Sequence, residues 1–438
     1  MDLLSESEDQ FRKLITRITK PRVVVDNVTN PSETIIKVDS ARKHGILIDA
    51  VQILSDLNLS IKKAYISSDG RWFMDVYHVT DQNGDKITDG RVSFIEQSLE
   101  KIESNRADEL EGITALELTG ADRVGLLSEV FAVLKDLHCN VVEAKVWTHN
   151  GRIASRIHLT DSDTDSPIED SRRIANIEGR LRTILNVGND LASPTTSVSI
   201  STLHIERRLH QMMYADRDYD LRSDTQDSSE CPIVTVQNWA ERGYSIVGVQ
   251  CKDRMRLLFD VVCTLTDMEY VVHHATIDTT VDEARMEFCT RHVDGGPIRS
   301  EAERQRVINC LQAAVMRRCT RGVRLELCES DRGSLLADVT RTFRENGLNV
   351  TRAEISTANK TAHDVFYVTD ARGNEVDSKM IELVREKIGV TCLKVKELPP
   401  LTYHREEEAA SVAGALLLSL GSLVRKNLCH FGFIRSFS

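Results

Sequence analysis

The fold is decided by residues 113–161, which read ITALELTGADRVGLLSEVFAVLKDLHCNVVEAKVWTHNGRIASRIHLTD. The stretch opens with alternating apolar residues, a pattern typical of a strand with one buried face. After a short loop, apolar residues at helical spacing form one stripe at Leu127, Val130, Phe131, Leu134 and Leu137. Two more alternating segments flank Asn150-Gly151, a strong hairpin signal. The pattern predicts a strand, a helix and a β-hairpin.

The same skeleton occurs four times along the chain. Counting starts at the residue just before a Leu-Leu-type pair, here called the counting origin, which is Gly45, Gly125, Arg256 or Ser334. Nineteen positions later every segment has alanine, at Ala64, Ala144, Ala275 and Ala353. Two positions further on each has a branched apolar residue, at Ile66, Val146, Ile277 and Ile355. Because no insertion is needed, the four segments are interpreted as copies of one module.

Each copy continues with a second amphipathic helix, and a last strand is indicated at residues 196–201 and 390–395. This order predicts an α+β fold of four tandem ferredoxin-like βαββαβ modules, each with two helices on one face of an antiparallel sheet. The other sheet face needs a cover, so we expect the modules to pair within the chain. Short connections favour pairing of module 1 with module 2 and of module 3 with module 4.

The offsets between copies set the predicted domain boundaries. They are an N-terminal extension 1–32, module 1 33–110, module 2 111–202, a linker 203–242, module 3 243–319, module 4 320–400 and a C-terminal tail 401–438. Within the linker, residues 216–230 are polar and are expected to be mobile. The apolar run 409–424 is shorter than a membrane span. It predicts a short helix or a disordered peptide, with a partner- or membrane-docking helix as the alternative.

Composition excludes several classes of protein. The 438 residues carry a formal net charge of −11, and an acidic chain repels phosphate backbones, so no nucleic-acid partner is expected. The ten cysteines include no Cys-x-x-Cys pair and are interpreted as reduced thiols. Residues 1–12 are polar and acidic, unlike a secretion signal or a transit peptide. We therefore expect an intracellular protein of the cytoplasm, the nucleus or both.

No pattern of a catalytic apparatus is present in the sequence. It lacks a Walker loop, a Gly-x-Ser-x-Gly elbow, a dinucleotide fingerprint and a His-Glu-x-x-His pair. His363-Asp364 resembles half of a phosphohydrolase metal site, but no further histidine or aspartate follows at useful spacing. A core position is the better interpretation. The sequence predicts a protein that is not an enzyme and has no cofactor or metal.

Three short motifs resemble the ACT domain, a small regulatory module that binds amino acids. They are Asp122-Arg123-x-Gly125-Leu126-Leu127, Asn140-Val141 and Thr369-Asp370-x-x-Gly373. The whole chain resembles the plant ACT-domain-repeat family, which carries four such modules. Further segments that match this family are residues 44–47, 62–70, 72–76, 206–213 and 433–436. The tandem ACT end of the bacterial nitrogen-sensing uridylyltransferase is a more distant likeness.

The loop of module 2 suggests how an amino acid would bind. It leads into a helix N-terminus, where free N–H groups and a partial positive charge suit a carboxylate. Asp122 would receive the ligand's ammonium, Arg123 would clamp its carboxylate, and Gly125 permits close approach. The resemblance implies that an asparagine of the partner module also contacts the ligand. The predicted amino-acid-binding residues are Asp122, Arg123, Gly125, Leu126, Asn140, Asp331, Arg332 and Asn349.

A purely structural interpretation of the same loops is equally open. In it the aspartates cap helices and the arginines are solvated or pair locally. The four modules also differ, since Arg256 and Val271 replace the glycine and the asparagine in module 3, and Arg42-Lys43 and Ser60 replace the loop pair and the asparagine in module 1. Module 4 has Gly333 followed by Ser334. We expect one or two competent sites.

Two hypotheses for function follow. In the first, the protein is a non-catalytic sensor that binds a free amino acid. In the second, it is an interaction scaffold whose ACT modules have lost ligand binding in some or all copies. A protein partner would then bind through ACT pairing or the tail. The sequence leaves open which amino acid binds and the oligomeric state.

Overall fold

A computed structural model describes residues 21–41, 45–68, 72–102, 114–186, 195–200, 204–220, 231–280, 282–319 and 322–396. The apolar tail segment 409–424 and residues 221–230 of the linker lie outside these ranges, so the predictions about them stay predictions. The chain divides into two compact units. One unit contains modules 1 and 3, and the other contains modules 2 and 4.

Each module contributes helices and strands that follow one another in chain order. Module 1 supplies β1 Arg22–Asp26, β2 Thr34–Ala41, α1 Ile46–Asp56, β3 Ser60–Ser68, β4 Trp72–Thr80 and α2 Asp89–Glu100. Module 2 supplies β5 Thr114–Ala121, α3 Leu126–Asp136, β6 Cys139–His149, β7 Arg152–Asp161, α4 Ser171–Leu185 and β8 Thr195–Ile200. The linker forms α5 Ile205–Ala215. Module 3 supplies β9 Ile233–Trp239, β10 Tyr244–Lys252, α6 Leu257–Asp267, β11 Tyr270–Thr279, β12 Glu283–His292 and α7 Glu301–Met316. Module 4 supplies β13 Val323–Ser330, α8 Leu335–Glu345, β14 Leu348–Ala358, β15 Thr361–Asp370, α9 Ser378–Ile388 and β16 Leu393–Lys396.

Each unit is built on one continuous antiparallel sheet of eight strands. The strand orders are β1-β2-β4-β3-β11-β12-β10-β9 and β16-β13-β15-β14-β6-β7-β5-β8. Two modules therefore join edge to edge, through β3 and β11 in one sheet and through β6 and β14 in the other. The α+β fold of paired ferredoxin-like modules predicted from the sequence is confirmed.

The predicted choice of partners was wrong. Module 1 pairs with module 3 and module 2 with module 4, side by side in a sheet and not face to face. The repeated alanine and branched residue meet at the junction, where Ala64 faces Ile277 and Ala144 faces Ile355. All four copies carry that pair, so it cannot specify a partner. Connection length does not specify one either, because the thirteen residues 101–113 between α2 and β5 can span about 43 Å when extended.

The fourth strand of each module's part of the sheet comes from one of two places in the chain. In modules 2 and 4 it is the last strand, β8 or β16, as the sequence indicated. In modules 1 and 3 it is the first strand, β1 or β9, which pairs beside β2 or β10. Residues 22–26 and 233–239, predicted as extension and linker, are thus strands of the sheet. The order of elements in these two modules is ββαββα.

The core lies between each sheet and its helices. The stripe predicted for α3 is buried at Leu127, Val130, Phe131 and Leu134, while Leu137 packs against it partly exposed. Across the module junction α3 packs on α8, and α1 packs on α6. The starts of the first helices are thereby brought against the partner module, which is where the candidate sites lie.

The linker helix α5 covers the other face of the sheet of modules 2 and 4. A small buried cluster joins the helix to β6 and β7, formed by Trp147, Ala154, Leu209, Met212 and Met213. Beside it, the fully buried Asp218 accepts two hydrogen bonds from the Arg317 guanidinium at 2.7 and 2.8 Å. Burial opposes ionisation of Asp218, yet Arg317 and His149 hold its pKa at about 2. The first part of this linker, from His204 to Asp220, therefore belongs to the folded unit, and the expected mobility is wrong for residues 216–220.

Candidate functional site

The loop of module 2 turns sharply between β5 and α3. The Asp122 amide donates to the Gly151 carbonyl at 2.8 Å, and the Leu126 amide donates to the Arg123 carbonyl at 3.1 Å. Gly125 precedes the helix at φ +83, a left-handed conformation in which glycine carries no steric penalty. No side chain caps the helix start. Leu126 itself is buried in the core, so it shapes the loop by packing.

Asp122 is joined to the partner module. The Asn349 side chain, on β14 of module 4, donates a hydrogen bond to the Asp122 carboxylate. Burial raises the pKa of Asp122 to about 6, and the hydrogen bonds from Asn349 and the Arg123 amide offset only part of that. The loop aspartate of one module and the helix-exit asparagine of the other are therefore brought together, with module 4 as the partner of module 2.

Arg123 pairs with the first turn of its own helix. Its guanidinium binds Glu129 through two hydrogen bonds of 3.0 and 2.5 Å. The same offset of six residues recurs in three modules, as Arg123–Glu129, Arg254–Asp260 and Arg332–Asp338. This contact fits the interpretation in which the loop arginines pair locally, although its acidic partners were not predicted. Its signal is an acidic residue four positions after the counting origin in every copy, at Asp49, Glu129, Asp260 and Asp338.

A small cavity lies between the Asp122 loop and module 4. Its walls include Ser128, Thr340, Arg344 and Asn349, and its volume is about 10 Å³, room for about one water molecule. Arg344 closes it, because a Cβ placed on Gly125 would lie 2.5 Å from the Arg344 Cδ. An acidic oxygen, an amide and a helix N-terminus converge there, which complements the two charged groups of an amino acid.

The reciprocal loop of module 4 faces Asn140 of module 2. A Cβ on Gly333 would lie 3.7 Å from the Asn140 Oδ1, and the Asn140 amide donates to Asp165 at 3.4 Å. Burial raises the pKa of Asp331, and the Asp165 carboxylate adds to that rise. Arg332 is exposed and lies 3.7 Å from Asp338. The predicted residues thus form two groups across one junction, Asp122 with Asn349 and the module 4 loop with Asn140.

The equivalent loop of module 3 is filled by side chains of the protein. Arg256 holds the left-handed conformation at φ +65 where modules 1 and 2 have glycine. The Lys62 ammonium, from module 1, lies 3.7 Å from the Asp253 carboxylate, the place that a ligand ammonium would take. Met286 lines the remaining cavity, whose volume is about 20 Å³.

Comparisons with known proteins agree with this architecture. Residues 29–106 match the profile of the ACR family N-terminal ACT domain, and residues 114–173 match that of the ACT domain. The ACT domain-containing protein ACR8 of Arabidopsis thaliana is 61% identical over 435 residues, 98% of each chain. The chain belongs to the ACR family.

Other ACR proteins are similar over the full length. The ACT domain-containing protein ACR4 of Arabidopsis thaliana is 48% identical and the match covers 100% of both chains. Among solved structures, an unknown protein from Galdieria sulphuraria is 13% identical, covering 46% of this chain and 91% of that one. Its TM-score of 0.19 is too low to support an inference. The predicted resemblance to the plant ACT-repeat family is confirmed.

The first module of this ACR chain has the largest of these cavities. It lies at the start of α1, its volume is about 280 Å³, and module 3 supplies Thr266, Tyr270, Val271 and Val272 to its wall. Gly45 holds φ +90 at the helix start, and no side chain caps it. The loop pair Arg42-Lys43 lies outside the described residues.

Two further findings on this ACR chain concern metals and membranes. Within the described residues, no group of three or more histidine, cysteine or acidic side chains is placed to hold a metal ion. In the same part of the chain, no helix is long and apolar enough to cross a membrane. Asp364 of the His363-Asp364 pair is buried, with 1% of its surface exposed, which fits the core interpretation.

Proposed function

We propose that this ACR protein is a non-catalytic regulatory protein that binds a free amino acid between modules 2 and 4. The observation that carries the proposal is the hydrogen bond between Asp122 and Asn349 beside an uncapped helix start. The relatives that match are named for their ACT domains, and their names state no reaction.

Each charged group of an amino acid has a counterpart at this junction. The ammonium shares the oxygens of the Asp122 carboxylate with the Asn349 amide and donates to the Asn349 side-chain oxygen as well. The α-carboxylate meets the first backbone amides of α3, where the helix dipole favours an anion. Arg344 can move aside and pair with the carboxylate, since its side chain is long and flexible and its guanidinium matches a carboxylate. Arg123 is engaged with Glu129, so its role is to brace the loop.

Because Arg344 closes the cavity, binding of a ligand must change the arrangement of modules 2 and 4. The cavity holds about one water molecule, so an amino acid enters only when Arg344 and α8 yield. A ligand that favours the open arrangement shifts the population of module 4 relative to module 2. In this account the ligand changes the junction of two modules, and the protein needs no chemistry to signal it.

The scaffold hypothesis applies to module 3. Lys62, Arg256 and Met286 occupy its site, and its strand β11 extends the sheet of module 1. We infer that this copy serves pairing alone. The protein then combines a pairing module with a sensing one.

A thermal-shift screen of the full chain against the twenty amino acids tests the proposal. A ligand at 100 times its Kd adds about 2.7 kcal/mol of apparent stability. Calorimetry of the hit with Gly125→Arg should show that binding is lost, because the side chain collides with Arg344. Gly84→Arg is the matched control, since Gly84 has φ +87 in open space. If Gly125→Arg binds as tightly as the parent, the site lies elsewhere.

A further inference from the structure

A buried aspartate stands in the core-facing row of module 1. Along β4 the buried side chains alternate as Phe73, Asp75, Tyr77 and Val79. Asp75 is 1% exposed, and its Oδ2 accepts a hydrogen bond from the Tyr77 hydroxyl at 3.0 Å. Its Oδ1 has no hydrogen bond of normal geometry within the described part of the chain. A buried acceptor without a partner is rare in native proteins and calls for an explanation.

Asp75 lines the large cavity at the start of α1. Ser68, on the neighbouring strand β3, lines the same cavity and is 6% exposed. The Ser68 hydroxyl also lacks a hydrogen-bond partner among the residues that the structure describes. The Ser67 amide interacts with the Asp75 carboxyl and lowers its pKa, but it leaves Oδ1 without a hydrogen bond of normal geometry. Two buried oxygens with hydrogen-bonding capacity left, one of them acidic, therefore share a wall. A ligand ammonium has three donors and would satisfy both.

The rest of the cavity is apolar. Ile66 and Phe73 line it from module 1, and Val271 and Val272 line it from module 3. Its volume of about 280 Å³ is larger than the roughly 150 Å³ that suffices for benzene in an engineered apolar cavity. The space suits a compact hydrocarbon body attached to the cationic group.

The other modules show why this cavity is distinctive. Thirty positions after the counting origin the four copies carry Asp75, Ser155, Met286 and Asp364. In module 3 Met286 and Arg256 fill the space and leave about 20 Å³. In module 1 glycine and aspartate stand at these two positions, and the space stays open. Glycine at the first position together with an acidic residue at the second occurs in module 1 alone among the four copies.

We propose that the module 1 cavity is a second ligand site, which binds a small primary ammonium compound with an apolar body through Asp75 and Ser68. An apolar amino acid and its decarboxylated amine share this chemistry. The site is separate from the Asp122 junction, and the side chains that bind the ammonium lie on strands β3 and β4 of the sheet. Burial raises the pKa of Asp75 to about 7, and a bound ammonium would favour its ionised form.

Calorimetry of the full chain at pH 8 with three matched compounds tests this site. L-Leucine and isoamylamine carry the ammonium, and 4-methylpentanoate keeps the same body without it. We expect isoamylamine, L-leucine or both to bind, and 4-methylpentanoate to be at least 30-fold weaker. Binding of isoamylamine alone identifies the ligand class as amines, whereas binding of both shows that a carboxylate is accommodated. If none binds at millimolar concentration, or 4-methylpentanoate binds equally well, the proposal is wrong.

Variants assign the binding to this cavity. Asp75→Asn keeps the shape of the side chain and removes its charge, so it should weaken the binding of the ammonium compounds about 30-fold or more. Val271→Trp fills the cavity from module 3 and should act in the same way if the first variant misfolds. Asp253→Asn and Gly125→Arg should leave isoamylamine binding unchanged. Undiminished affinity in both Asp75→Asn and Val271→Trp overturns the proposal, and loss only in Gly125→Arg moves the ligand to module 2.

Discussion

The sites of modules 1 and 2 are built on the same backbone and differ in where they place their acid. Module 2 carries Asp122 on the loop, tied to Asn349 and closed by Arg344. Module 1 carries Asp75 on the sheet, beneath an open cavity of about 280 Å³. In the proposed account, each module has a possible ligand site at the start of its first helix. A few side chains decide whether that place is closed, open or filled.

The largest effect is expected where the linker joins the sheet of modules 2 and 4. Arg317→Met leaves Asp218 buried without its main partner, so it should cost about 3–5 kcal/mol of unfolding free energy. Urea unfolding followed by circular dichroism measures it. Arg332→Met removes an exposed pair and should cost about 1 kcal/mol or less. Equal costs would show that the linker contact does not stabilise this unit.

The two buried strand acids should make stability depend on pH. Burial raises the pKa of Asp75 and of Asp364 to about 7, above the ~3.9 of an exposed carboxyl. The folded protein therefore binds more protons between pH 4 and 7, and stability falls as pH rises through that window. Asp75→Asn removes the contribution of Asp75 to this pH dependence. The variant should therefore gain about 3 kcal/mol more stability over the parent at pH 8 than at pH 4.

Thermal unfolding of the parent and Asp75→Asn at both pH values provides the measurement. Asp364→Asn should show the same sign, because it occupies the same repeat position. A gain that does not change with pH would mean that Asp75 is ionised in the folded protein at pH 4 as at pH 8.

Replacing Arg256 by glycine tests why the site of module 3 does not bind a ligand. Arg256→Gly relieves a left-handed arginine but adds conformational entropy to the unfolded chain, so it should stabilise the protein by about 1 kcal/mol or less. It should create no amino-acid binding, because Lys62 still lies on Asp253. Differential scanning calorimetry and ligand titration report the two results. New binding in Arg256→Gly alone would show that the arginine, and not Lys62, keeps that site empty of ligand.

The smallest effect concerns the loop arginine. If Arg123 braces the helix start, Arg123→Met should cost about 1 kcal/mol or less and change amino-acid affinity by less than about 3-fold. Glu129→Gln should reproduce the stability change. An affinity loss of 30-fold or more in Arg123→Met alone would restore the arginine to the binding site.

Much of this could be predicted from the sequence, and what could not has physical reasons. The periodicity of one copy and the register of four predicted the module and the loop at Asp122. The partner choice failed because Ala64 and its equivalents are the same in every copy, so any two edges could pair. The position of Asp75 was missed, although an aspartate in phase with Phe73 and Tyr77 is a visible break of a core pattern.

Asn349 provides the most direct test of the central claim, which is that an amino acid binds at the junction of modules 2 and 4. Its match in module 2, Asn140, faces the reciprocal loop and is the control. Isothermal titration calorimetry of the amino acid found in the screen should show at least 30-fold weaker binding for Asn349→Ala and unchanged affinity for Asn140→Ala. Parental affinity in Asn349→Ala, with the fold intact by circular dichroism, would contradict the account.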